Sequence, residues 1–160
     1  GRNGLCREGV MELTLLLGAA ATCALGGILP WISAEAVLLA TALALPPSLL
    51  PTLVLSCALG QMVGKGGLYG LMRWAPHRLP ERARRVLDRV EPLSRRPGIL
   101  GSSVFTGAAA GLPPFYLVTL ASGLAGLPLA TFALAGLGGC VLRYGVVLWG
   151  AGALGWGAVP

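Results

Sequence analysis

The sequence predicts an all-α, polytopic integral membrane protein built as two inverted repeats. Each repeat is a re-entrant helical hairpin followed by a transmembrane helix, and an amphipathic cytoplasmic helix joins the two. Three observations carry this prediction. The chain is 55% hydrophobic and 11% charged, less than half the usual charged share of about 25%, with a mean hydropathy of +0.77. The charges are confined, since eight of the twelve basic residues fall within positions 73–96 and Glu35 is the only charged residue within 13–63. Prolines interrupt the apolar runs in an order that occurs twice.

At about 20 residues per spanning helix, 160 residues leave room for roughly four to six membrane segments in one compact domain and none for a separate soluble domain. The first repeat is expected over 11–74. Its first run, 11–29, is apolar on all sides. It is long for a signal-peptide core and is read as a retained membrane segment. Its helix should stop near Ile28, because Pro30 lacks a backbone donor and disfavours helix in the residue before it. A second piece starts with Ser33 as N-cap and continues to Leu45, ahead of Pro46 and Pro47. At ~1.5 Å per residue it covers about two thirds of a ~30 Å hydrocarbon core, so it re-enters rather than spans. The third piece, 48–74, is long enough to span and ends in Lys65, Tyr69, Arg73 and Trp74, residue types suited to a membrane interface.

The connector, 75–96, is basic. Leu79, Ala83, Val86, Leu87, Val90 and Leu93 recur at helical spacing, while Arg82, Arg85 and Arg89 occupy other faces. That pattern predicts an amphipathic helix on the cytoplasmic surface with its arginines among anionic lipid headgroups. A solvated connector is the plainer alternative. The second repeat, 97–157, has no charged residue until Arg143. Leu112-Pro113-Pro114 interrupts it as Leu29-Pro30 interrupts the first, and Leu127-Pro128 follows as Leu45-Pro46 does. Tyr144-Gly145 likewise matches Tyr69-Gly70. Breaks at Pro30, Pro113 and Pro114 should lie inside the membrane and near each other. Glycines at four-residue spacing, Gly60 with Gly64, Gly66 with Gly70 and Gly107 with Gly111, would allow close helix contacts.

An ionisable residue within membrane segments is a functional-site hypothesis by default, because a charged side chain at a helix centre costs roughly 2.5–3.5 kcal/mol even on the lenient insertion scale. Glu35 and Arg143 are the two such candidates. Arg143 would bind phosphate or pair with Glu35. Other chemistries find few residues. Cys6, Cys23, Cys57 and Cys140 are far apart and read as small buried hydrophobes. His77 stands alone beside Pro76, and no Ser/His or paired Asp arrangement is present, so neither an enzyme nor a metal or cofactor site is expected. The clustering of basic residues in one loop argues against nucleic acid as a partner.

The stretch 29–35 (Leu-Pro-Trp-Ile-Ser-Ala-Glu), the stretch 105–126 with Pro113-Pro114, and Gly139 with Arg143-Tyr144 resemble the DedA family, the bacterial members of the SNARE-associated or VTT-domain superfamily, in particular its short YqaA-like branch. The likeness covers roughly 13–150. It implies two opposed re-entrant hairpins in the bacterial inner membrane and a role in moving lipids or lipid carriers, in several members with dependence on the proton gradient. Glu35 stands in the place of the family's acidic residue in the first hairpin. The stretch 105–114 departs from the pattern, because many DedA proteins carry basic residues there and this chain has none. Arg143 is the nearest candidate to supply the charge.

The expected function is therefore flipping or scrambling of phospholipid or an anionic lipid carrier, with membrane lipids as partners and Glu35 taking up and releasing a proton. An ion or small-solute secondary transporter shares the same scaffold. A non-transport assembly protein, in which Glu35 and Arg143 form a structural pair, is the third reading. Homo-oligomerisation is left open.

Overall fold

A computed structural model describes residues 2–29, 31–74, 97–112 and 114–153. Pro30, Pro113 and the connector with His77, Arg82, Arg85 and Arg89 lie outside the described residues. All of the regular structure described is helical: α1 (Arg2–Ile28), α2 (Ala34–Ala42), α3 (Leu50–Trp74), α4 (Pro97–Ala110), α5 (Phe115–Leu124) and α6 (Leu129–Ala153), with a 3₁₀ turn at Pro47–Leu49 before α3.

Local chemistry sets most of these limits. The helix α1 ends at Ile28, two residues before Pro30, although it begins upstream of the expected position 11. Ser33 caps α2 from an extended conformation (φ −78°, ψ 110°), its hydroxyl accepting from the Ala36 N–H at 3.2 Å. That helix closes at Ala42, short of the expected Leu45. Prolines open α4 and the 3₁₀ turn, where a missing N–H leaves no hydrogen bond unmade. Gly111 (φ 73°) and Gly126 (φ 70°) follow the ends of α4 and α5. The left-handed conformation there is accessible to glycine without a Cβ penalty.

Three helical stretches are long and apolar enough to cross a membrane: Gly9–Ile28, Pro47–Trp74 and Leu129–Ala153. The first run therefore reaches spanning length, whereas its counterpart α4 has only 14 residues, so the halves are unequal. Large apolar side chains such as Val63, Leu134 and Val146 are exposed on the outside, where lipid rather than water would solvate them. Inside, Leu38, Leu53, Val104, Phe132 and Tyr144 form the core together with Cys23, Cys57 and Cys140. These three cysteines are free and buried, as expected of small hydrophobes.

The directions of the helices follow from their contacts. Gly60 lies against the backbone of Ala20 and Gly64 against that of Ala24, so α1 and α3 run parallel. Gly101 meets Thr131 and Gly139 meets Ala108, so α4 and α6 are also parallel. Between the long helices the order reverses. Gln61 meets Tyr144, and Tyr69 stacks on Phe132 at 4.9 Å, so α3 and α6 are antiparallel. Of the glycine pairs expected at interfaces, Gly60 with Gly64 is one. Gly66 with Gly70 is not: a Cβ at Gly66 would meet nothing within 4 Å, because that face of α3 points away from α1.

Candidate functional site

The first helix break brings Glu35 into the first turn of α2, where a carboxylate complements the positive end of the helix dipole. Both carboxylate oxygens are engaged. Ser33 Oγ donates to Oε2 at 2.9 Å, and Arg143 Nη2 lies 2.5 Å from Oε1. Arg143 reaches Glu35 from α6, on the other half of the chain. Its Nη1 lies 3.3 Å from where a Gly111 Cβ would stand, at the end of α4. One guanidinium thus touches both helix breaks. The side chains of Arg143 and Glu35 keep 35% and 28% of their surface exposed, and Trp31 and Leu112, in the two breaks, are exposed as well. The pair lines an open wall instead of being sealed in the core.

The depth of this point follows from the long helices. On α6, Arg143 stands ten residues before Ala153, the last described residue of that helix, or about 15 Å at 1.5 Å per residue. On α3, the end of α1 is level with Lys65, since Gly27 packs on the backbone of Gln61, Gly64 and Lys65. Lys65 stands nine residues before Trp74, the last described residue of that helix, or about 14 Å. With interfaces at the level of Ala153 and Trp74, each break would fall near half of a ~30 Å hydrocarbon core.

Of the residues expected to carry the site, Glu35 and Arg143 are brought together. Pro114 serves as N-cap of α5 (φ −53°, ψ 121°), without a side-chain cap bond. Pro30 and Pro113 are flanked by the helix ends described above. Lys65 and Tyr69 overturn the interface expectation, for both are buried, at 4% exposure each. The cause is α5, which runs alongside α3 and covers this face. The Lys65 ammonium lies over the rings of Phe115 and Tyr116, at 5.4 and 5.3 Å from their centroids. Tyr69 donates to the Leu127 carbonyl at 2.5 Å, with Arg73 Nη1 3.5 Å from its hydroxyl. Trp74, by contrast, is exposed.

The sequence reading also missed Gln61, which joins the halves. Its Oε1 accepts from the Tyr144 hydroxyl and lies 3.5 Å from Cys140 Sγ. Gln61, Cys140 and Tyr144 form one cluster between the long helices, with Lys65 one turn after Gln61 on α3 and Arg143 next to Tyr144 in the chain. An apolar groove of about 500 Å³ beside Tyr69, Arg73, Trp74 and Leu129 lies apart from it. Among the described residues no three His, Cys, Asp or Glu side chains are grouped to hold a metal ion. Comparison with known protein families, curated proteins and solved structures found no match for the chain.

Proposed function

We propose that this protein is a membrane transporter of the DedA/VTT type that translocates phospholipid or an anionic lipid carrier across the bacterial inner membrane. Glu35 would act as its proton-exchanging group. The observation that carries the reading is the Glu35–Arg143 ion pair, formed between the two halves where both helix breaks meet. A charged pair at such a depth is costly unless it is used or fully satisfied, and this one is partly open.

The helix directions support the accompanying architecture of two inverted repeats. The parallel pairs α1 with α3 and α4 with α6, set against the antiparallel α3 with α6, are what two copies in opposite orientation would produce. The hairpins α1–α2 and α4–α5 would then enter from opposite faces and meet at their tips, with residues 75–96 on the cytoplasmic side. In this reading a headgroup phosphate competes with Glu35 for Arg143. The displaced carboxylate takes up a proton, so no unpaired negative charge is left at membrane depth. The acyl chains remain along the apolar outer surface.

The test is reconstitution into liposomes carrying fluorescent phospholipid or polyprenyl phosphate, with and without a pH gradient. The expected result is translocation faster than in protein-free liposomes and responsive to the gradient. Equal rates with and without protein for both lipids would overturn the proposal. Transport of ions or small solutes without lipid movement would favour a secondary transporter on the same scaffold.

A further inference from the structure

We propose that Lys65 and the N-terminus of α5 form the binding site for the phosphate group of the transported molecule. The inference deepens the lipid-transport reading and rests on it for the identity of that molecule. Lys65 is the only lysine of the chain. It is 4% exposed and is level with the end of α1, where Gly27 packs on the Lys65 backbone. Among the described residues the one ion pair is Glu35 with Arg143, so Lys65 has aromatic rings for neighbours and no carboxylate. A lone ammonium in such surroundings is expensive. Cation–π contact offsets only part of that cost.

The second observation is what the ammonium is aimed at. Phe115 and Tyr116 are the first two residues of α5, whose N-cap, Pro114, makes no side-chain cap bond. Backbone bonding to the Pro114 carbonyl begins only at Leu117 and Val118. The contrast with α2 is chemical: there Ser33 caps the helix and Glu35 supplies a carboxylate in the first turn. The α5 terminus has neither, yet one cation lies over the side-chain rings of its first two residues and a second, Arg143, lies against Gly111 on the other side of the break. A helix N-terminus with free N–H groups and convergent cations is suited to a phosphate. Glu35 neutralises one of the two cations, and the bound anion would neutralise the other. The stretch 105–114 carries no basic residue of its own, so α3 supplies the charge in space.

Because Lys65 is the sole lysine, ¹³C-lysine labelling of the purified protein in detergent reports on it alone. Dihexanoylphosphatidic acid should shift its Cε resonance in a saturable manner, and dihexanoylglycerol, which lacks the phosphate, should not. In titrations of the unlabelled protein, Lys65→Gln should weaken phosphatidic acid binding tenfold or more, and Lys65→Arg should stay within about threefold of wild type, as a tenfold change is about 1.4 kcal/mol. No shift, or equal shifts with both compounds, would overturn the site. Inorganic phosphate that reproduces the shift and displaces phosphatidic acid at the same concentration would assign the site to free phosphate and overturn the lipid source. A phosphate-dependent shift in a protein that moves no lipid in liposomes would uphold the site and sink the translocator reading. Lipid translocation unaltered by Lys65→Gln would do the reverse.

Discussion

Removing the charge of Glu35 separates a transport role from a purely structural one, provided both partners of the pair are varied. The single change Glu35→Gln keeps the shape and the hydrogen bond from Ser33 but leaves Arg143 without a counter-charge. Exposed pairs contribute about 0–1 kcal/mol, and breaking a fully buried one costs about 3–5 kcal/mol. With 35% and 28% of the two side chains exposed, an intermediate cost of about 2 kcal/mol is expected. In a chain of this length that corresponds to a drop in Tm of roughly 4–8 °C. The double variant Glu35→Gln/Arg143→Gln removes both charges together, and its Tm should return to within about 2 °C of wild type.

The two roles part at this variant. If the pair only holds α2 to α6, the double variant recovers translocation along with stability. If Glu35 exchanges a proton and Arg143 meets the headgroup, stability recovers and gradient-dependent translocation remains at least about tenfold down, a barrier difference of about 1.4 kcal/mol. The assay is thermal unfolding in detergent beside fluorescent-lipid translocation in liposomes for wild type, both single variants and the double. Wild-type translocation by a stable double variant would refute the transport role of the pair and leave it a structural link between α2 and α6.

Three further outcomes are expected. Gly60→Ala and Gly64→Ala should each lower Tm, because the added Cβ would collide with the Ala20 and Ala24 backbones, whereas Gly66→Ala, with nothing within 4 Å, should leave Tm unchanged or raised. Ser33→Ala should destabilise the protein by about 1 kcal/mol through loss of the α2 cap, read as a Tm shift, and should also lower translocation by freeing one Glu35 oxygen. A cysteine placed at Arg84, with Cys6, Cys23, Cys57 and Cys140 replaced by Ser, should resist impermeant maleimide in intact cells and react after lysis. Labelling from outside would reverse the assigned orientation.

The helix breaks were legible because their causes are local. Pro30, Pro46, Pro113 and Pro128 withhold a donor wherever they stand, and Ser33 caps α2 through its own neighbours. The exact closure of α2 was not legible: its last turn tightens into three-residue hydrogen bonds from Ala44 and Leu45, so the helix ends at Ala42 instead of Leu45. Glycine spacing shows a further limit. Gly60 with Gly64 and Gly66 with Gly70 have one spacing but lie on different faces of α3, and spacing alone does not say which face meets α1.

Glu35 and Arg143 were legible because each is isolated in an apolar run, where a charge has no ordinary solvent. Lys65 was misread because it shares a helix end with Tyr69, Arg73 and Trp74, the company of an interface residue, and a lysine there ordinarily extends to the headgroups. A signal against that reading was nevertheless present. Gln61, Lys65 and Tyr69 recur every four residues and so line one face of α3, and all three meet α5, α6 or the turn between them. A polar stripe confined to one face of a spanning-length helix cannot face lipid without cost. It must face protein or a polar passage. Gln61 and Tyr69 meet protein groups, whereas at Lys65 the described residues provide no anion, and on that difference the proposed phosphate site rests.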